Sequence, residues 1–151
     1  MINEMASEKI AVIGTIDPQT VVNSEVFTDV VDMSKFNQAL FFCALGNMAA
    51  ETIDFTVYYC DSDGSNAVAL KSATQLAANA SANDNKQIVI AVRDQELLTI
   101  AQTTRYLKAG LVTGGSSGGP ACVLALGVDA KYGPASGSDL SSVAEIVTAL
   151  D

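Results

Sequence analysis

Short runs of alternating apolar and polar residues constrain the fold of this chain more than any other feature of its sequence. In the run 52–60 every second residue is apolar: Ile53, Phe55, Val57 and Tyr59. Successive side chains of a strand point to opposite faces, so such a run places one apolar face against a core. Similar runs span 9–16, 86–93, 105–113 and 121–130, and weaker ones span 26–33 and 68–76. The pattern predicts a set of antiparallel strands.

The run 38–45 differs because it is apolar at both alternating sets of positions, reading QALFFCAL. Such a run is typical of a central strand that is covered on both faces or is buried at an interface. We expect it to pair with 52–60 as a hairpin. We also expect the run 121–130 to place Cys122, Leu124, Leu126 and Val128 on one face.

Turn-forming residues separate about seven or eight such runs, at intervals of roughly ten to fifteen residues. This spacing predicts an all-β domain, a β-sandwich or jelly roll, and 151 residues suffice for one core. The glycine-rich segment 114–119 is predicted to be a flexible hairpin tip, because it lacks the Lys-Ser/Thr ending of a phosphate-binding loop. Helical spacing occurs only at 94–102 and 141–150. The expected organisation is an N-terminal arm at 1–8, a sandwich at 9–130, and a C-terminal arm or short helix at 131–151.

The residue types needed for most catalysis are scarce. The chain has no histidine and no tryptophan, so the commonest general base and metal ligand are missing. Cys43, Cys60 and Cys122 lie in apolar runs without a CxxC pair, and we expect them to be core thiols rather than nucleophiles or zinc ligands. We therefore predict a protein that is not an enzyme, with no catalytic, cofactor-binding or metal-binding residues and no cofactor.

Asp61, Asp63 and Asn66 resemble part of a calcium-binding loop. The glycine within this stretch, Gly64, lies at the wrong offset for an EF-hand, and no bidentate glutamate closes the set. Turn formation explains these residues better, since Asp, Asn, Ser and Gly favour tight turns.

The charge balance argues against nucleic acid as a partner. The chain carries 17 acidic and 8 basic residues, a formal net charge of −9, whereas phosphate-backbone binding needs clustered Lys and Arg. No apolar run is long enough to span a membrane, and the first residues lack the basic start of a signal peptide. We expect no nucleic acid, no membrane and no targeting signal; an acidic surface suits solubility or docking onto a basic protein surface.

The order of several segments resembles a family of small tailed-bacteriophage proteins that decorate, or cement, capsids. These segments are DMSKF (32–36), IDFTV (53–57), SDGS (62–65), NKQ (85–87), RYLK (105–108) and GVDAKYGPAS (127–136). The resemblance covers roughly residues 32 to 136. One departure is that such chains often carry a tryptophan soon after the Asp-Gly-Ser turn, where this chain has Asn66-Ala67-Val68.

The resemblance implies a β-sandwich that forms a small symmetric homo-oligomer, with a trimer favoured over a dimer. It further implies that this oligomer bridges adjacent subunits of the major capsid protein on the capsid exterior, after synthesis in the cytoplasm of the host bacterium. Interface burial would supply the mechanism. The terminal arms bear apolar residues that suit such contacts, and the expected interface residues are Ile2, Met5, Tyr132, Pro134, Val143, Ile146, Val147 and Leu150.

Two other functions stay open from the sequence. The same sandwich suits a neck, tail or fibre component of a virion, which would follow a ring of different symmetry. A carbohydrate- or host-binding module would need exposed aromatic residues on loops, and Tyr58 and Tyr132 are the main candidates.

Overall fold

Nine strands and three short helices form the described part of the chain. The computed structural model describes residues 5–48, 51–78 and 82–147. The strands are β1 (Ala11–Val21), β2 (Val26–Phe27), β3 (Val31–Asp32), β4 (Phe36–Leu45), β5 (Ile53–Cys60), β6 (Val68–Ser72), β7 (Gln87–Arg93), β8 (Tyr106–Thr113) and β9 (Gly119–Ala130). The helices are α1 (Asp94–Leu98) and two 3-10 turns at Ala6–Glu8 and Met33–Lys35.

The strands form two antiparallel sheets. Sheet A has the order β1-β9-β4-β7, and sheet B has the order β2-β8-β5-β6, with β3 also pairing with β8. We count β2 and β3 as one interrupted strand. β1 then pairs with β9, the interrupted strand with β8, β4 with β7, and β5 with β6. This nested pairing of eight strands is a jelly roll, and it confirms the predicted fold class.

The core lies between the two sheets and is built from the inward-facing half of each alternating run. Phe41 and Phe55, on the central strands β4 and β5, are at most 1% exposed. The hydroxyl of the buried Thr113 donates to the Val21 carbonyl at 2.7 Å, so this buried polar group has a partner. The fully buried large side chains are Phe36, Phe41, Phe55, Met33, Met48, Ile53, Leu97, Leu107, Leu111, Val21, Val31 and Val57.

Two predictions of strand pairing were wrong. β4 lies in sheet A between β9 and β7, whereas β5 lies in sheet B, so the runs 38–45 and 52–60 do not form a hairpin. The segment 114–119 is not a hairpin tip either, because it connects β8 of sheet B to β9 of sheet A. Alternation shows which side chains face the core, but it does not identify the partner of a strand.

Of the two segments predicted to be helical, 94–102 contains a shorter helix and 141–150 has no helix in its described part. α1 occupies only the first part of 94–102. In 141–147 there is no helix: the Ser142 and Val143 amides donate to the Asp139 carbonyl in a single turn, and no regular structure follows. The hydroxyl of Ser142 contacts that of Thr15 at 2.9 Å, which holds this turn against β1. None of the helices in the described residues has the length and apolar character needed to cross a membrane.

Candidate interaction surfaces

The outer face of sheet B is polar, and its side chains bond to one another. The Tyr58 hydroxyl donates to Glu25 at 2.6 Å. The Gln75 amide donates to the Asp54 carboxylate at 2.7 Å. Polar side chains with such partners are typical of a solvated sheet face, so this face has the character expected of an ordinary protein surface.

The outer face of sheet A is apolar instead. Across the sheet, Leu40 lies between Leu126 and Ala91. In the next row, Phe42 lies between Leu124 and Val89. We call this surface the A face, and it comprises Val12, Thr15, Leu40, Phe42, Ala44, Val89, Ala91, Cys122, Leu124 and Leu126.

Side chains of the A face are only partly covered by the described chain. Val89, on the edge strand β7, is 50% exposed. Leu124 is 42% exposed although its strand, β9, is one of the two central strands of sheet A. A two-layer sandwich buries one face of each sheet. Apolar residues on the opposite face of a sheet are therefore exposed to solvent in a single copy. A continuous apolar surface of this kind marks an interaction site in soluble proteins.

The sequence contained the signal for the A face, but our site prediction did not use it. The run 38–45 is apolar on both sides because Phe41 and Cys43 enter the core while Leu40 and Phe42 point outward. The predicted shared face of Cys122, Leu124, Leu126 and Val128 is this outer face, since Val123 and Ala125 between them are buried. In a two-layer fold, adjacent strands that are apolar on both sides indicate an interface.

The cysteines divide in the same way. Cys43 and Cys60 are buried thiols, as predicted, whereas Cys122 is half-buried on the A face, and its prediction as a core thiol was wrong. Burial raises the pKa of Cys43 to about 12, with a smaller contribution from nearby Cys122. A thiol with so high a pKa is almost wholly protonated at neutral pH and is a poor nucleophile.

A second surface is formed by residues 131–147, which we call the C-terminal arm. Three backbone hydrogen bonds tie it to the sandwich: Lys131 N–H to Lys35 O at 2.8 Å, Ala135 N–H to Glu8 O at 2.7 Å, and Asp139 N–H to Val12 O at 2.8 Å. The Lys131 ammonium also pairs with the Asp94 carboxylate at 2.7 Å. The arm is thus held to the body largely through polar contacts, together with some packing by Ala135.

Apolar side chains of the arm remain exposed despite these ties. Tyr132 is 75% exposed, Leu140 is 83% exposed and Val147 is 70% exposed. Of the predicted interface residues, Met5, Pro134 and Ile146 are also exposed, and Val143 is half-buried. Ile2 and Leu150 lie outside the described residues. Leu140 was not predicted, although it lies in the same arm.

The two ends of the described chain meet at this surface. Glu8 accepts the Ala135 amide, and the Met5 amide donates to the Glu8 carboxylate at 2.7 Å. Glu8 and Lys9 line one cleft together with Gly133 and Pro134. The structure therefore brings Met5 into the neighbourhood of Pro134, while Ser142, beyond the turn at Asp139, contacts Thr15 of β1.

The acidic turn at 61–66 is occupied by its own hydrogen bonds. The Asp63 carboxylate accepts the Ser65 amide at 2.9 Å, and the Asp61 carboxylate accepts the Asn66 amide group at 2.7 Å. The hydrogen bonds from the Ser65 side chain and amide lower the pKa of Asp63. Asn66 and Gly64 adopt positive φ angles of 50° and 80°, as a tight turn requires. Among the described residues, no group of three or more His, Cys, Asp or Glu side chains is arranged to hold a metal ion.

No protein-family model matches the chain, and no curated protein matches it in sequence. Among solved structures, it is similar to a chain from Bacillus endospore appendages, described as disulfide-linked pili, with a TM-score of 0.45, 10% identity, and coverage of 85% of this chain and 97% of that one. It is also similar to a chain of infectious bursal disease virus, Gx strain, with a TM-score of 0.42 and 14% identity over 83% of this chain and 34% of that one. A third similar structure is xylanase 10C from Cellvibrio japonicus, with a TM-score of 0.40 and 11% identity over 85% and 28%. The chain spans about a third of the virus and xylanase chains. At these TM-scores the likenesses carry no conclusion about function.

Proposed function

We propose that the protein is a structural subunit of a virion that acts without catalysis, and that it decorates the capsid exterior of a tailed phage by docking its C-terminal arm onto the major capsid protein. The observation that carries this proposal is the construction of the arm. Polar bonds hold it to the body, while Tyr132, Leu140 and Val147 are left uncovered.

An arm that served mainly to stabilise the sandwich would bury its large apolar side chains in the core, where each contributes about 1.5–3 kcal/mol. Tyr132, Leu140 and Val147 are largely exposed instead, so their burial is available for a partner. Because the backbone is already tied down, less conformational entropy is lost when the partner binds.

The charge of the molecule indicates the chemistry of that partner. With a net charge of −9, the chain is attracted to a basic surface and repelled by an acidic one. In the cleft where the arm meets the body, two acidic residues, Glu8 and Asp129, and one basic residue, Lys9, lie beside Pro134. A capsid surface with an apolar centre and a basic rim satisfies both features, and binding to it should weaken as salt concentration rises.

The proposal is tested by sedimenting the full-length protein with phage heads that were assembled without it. We expect the wild type to pellet with heads at a fixed, saturable ratio. The double variant Ile146→Asp, Val147→Asp should bind at least tenfold more weakly, a loss of about 1.4 kcal/mol, because two carboxylates would have to be desolvated at the contact.

Val68→Asp is the matched control. Val68 is a 48% exposed apolar residue on β6 of sheet B, away from the arm, so this variant should bind heads like the wild type. Equal thermal melts of all three proteins would show that folding is intact. Saturable binding to necks or tails but not heads would move the protein to those parts of the virion, and failure to bind any phage particle would overturn the proposal.

A further inference from the structure

We infer that the A face pairs with the A face of a second copy of this chain, in a twofold dimer whose two sheets pack with their strands nearly perpendicular. The A face does not include the arm residues that carry the proposed capsid contact, although Ser142 of the arm contacts Thr15 at the margin of the face.

The electrostatics of the A face favour contact between two copies of the chain. The chain has a net charge of −9, so two copies repel each other wherever their acidic surfaces meet. The residues of the A face carry no charged side chain. Two copies that meet through this face therefore bring no like charges into direct contact.

Two charged residues of opposite sign flank the A face at opposite corners. Arg93 lies on β7 in register with Gln38, at one end of sheet A. Asp17 lies on β1 between Ile16 and Gln19, whose partners are Val123 and Ala121, near the other end. Both are exposed, and they occupy diagonally opposite corners of the four-stranded sheet. Asp129, which accepts a hydrogen bond from Asn37, lines the same cleft as Arg93.

A twofold axis along the other diagonal of the face makes these corners complementary. That rotation places Arg93 of one copy opposite Asp17 of the other, and the symmetry repeats the pair at the other corner. It also turns one set of strands across the other at about 90°, which is one of the two preferred angles for packed sheets. The face is thus complementary in charge to itself, which is the requirement for an isologous contact.

The shape of the face is also suited to such packing. Phe42 and the leucines of β4 and β9 form a raised centre, and the small side chains of Ala44 and Ala91 lie beside it. Facing sheets pack by interdigitating large and small side chains. When the two sheets cross at about 90°, Phe42 and the leucines of one copy lie across the small alanine side chains of the other.

The size of the face indicates how tightly the copies hold. Four strands and three rows of side chains measure about 14 by 14 Å, from strand and residue spacings. Such a contact belongs with the small, reversible protein interfaces rather than the obligate ones. We therefore expect a dimer that dissociates on dilution, in place of the trimer favoured from sequence.

The test is sedimentation velocity of the full-length protein alone, over a range of concentrations. The wild type should shift from monomer to dimer as concentration rises. Phe42→Glu at the centre of the face should remain monomeric throughout. Thr56→Glu, at a half-buried position on the outer face of sheet B, is the matched control and should dimerise like the wild type.

Charge reversal at the corners tests the geometry without touching the apolar residues. Arg93→Asp and Asp17→Arg should each weaken the dimer several-fold, and the double variant should recover most of the loss. A monomeric wild type, or a dimer that Phe42→Glu leaves intact, would overturn the inference. Additive losses in the double variant would overturn the diagonal arrangement. Binding to heads is measured separately, so either result leaves the proposed function to its own test.

Discussion

At the scale of single residues, Gly127 shows how closely the core is packed. It lies on β9 opposite Ala39 of β4, and a Cβ added there would come within 2.6 Å of the Phe36 ring. Phe36 is 1% exposed and cannot move aside. We expect Gly127→Ala to lower the free energy of unfolding by about 1–3 kcal/mol, as overpacked cores do, in urea denaturation. Gly133→Ala is the control, because nothing lies within 4 Å of the added Cβ. A Gly127→Ala variant as stable as the wild type would show that this site is loosely packed.

Tyr58 gives a prediction that depends on pH. Burial, followed by the hydrogen bond to Glu25, raises its pKa to about 12. A phenol whose pKa is raised on folding contributes stability that is complete below the unfolded value of about 10 and is lost as pH rises through the folded value. In an ultraviolet titration of the four tyrosines, we expect one ionisation phase near pH 12. This phase should be absent in Tyr58→Phe. A titration with no late phase would mean that the Glu25 contact does not persist in solution.

At the scale of elements, the edges of the sheets are protected by particular contacts. On the free side of β1, Val12 O accepts the Asp139 amide and Thr15 N–H donates to Asp29 at 3.1 Å. On β7, Ala91 O accepts the Lys71 ammonium at 2.8 Å. Backbone groups at an exposed edge can pair with another chain, and charged or covering segments prevent this. The C-terminal arm therefore also protects the edge of β1.

The turn that anchors this arm should loosen in acid. Hydrogen bonds from the side chains of Ser141 and Ser142 lower the pKa of Asp139. A carboxyl whose pKa is lowered on folding contributes stability above its unfolded pKa, and this is lost as pH falls through the folded value. We expect the Ser141 amide resonance in NMR to titrate with a midpoint below the ordinary range of aspartate. In Asp139→Asn this transition should be absent; a midpoint at the ordinary value would contradict the hydrogen bonds of this turn.

The elements also show what could be predicted from sequence. The strands with clear alternation were found within a few residues, because Ile53, Phe55 and Val57 must share a face. The pairing of those strands was missed, since contacts such as Leu40 with Leu126 join residues far apart in the chain. The helix at 141–150 was suggested by local spacing, but tertiary bonds to Val12 and Thr15 hold the described part of this segment in another conformation.

At the scale of the whole molecule, the two candidate surfaces lie on neighbouring sides of the sandwich. The A face is the outer side of sheet A, and the C-terminal arm runs along β1 at the edge of that sheet. Under the two proposals, one copy would meet a second copy through the A face and a capsid subunit through the arm. The arm was predicted as an interface from its position and apolar residues, and this stays a prediction. The A face was not predicted, although the run 38–45 is apolar on both sides, because recognising the whole face requires knowing that β4 and β9 are neighbours in one layer.

The nested pairing of the strands also determines when this protein can fold during its synthesis. β9 is the last strand along the described residues, yet it lies between β1 and β4 and joins them. A ribosome must therefore release the chain as far as Ala130 before sheet A can close, and until then β1 has no strand to pair with. Shorter fragments lack both the closed sheet and its outer surface, so the proposed pairing of A faces requires chains that have been translated through β9.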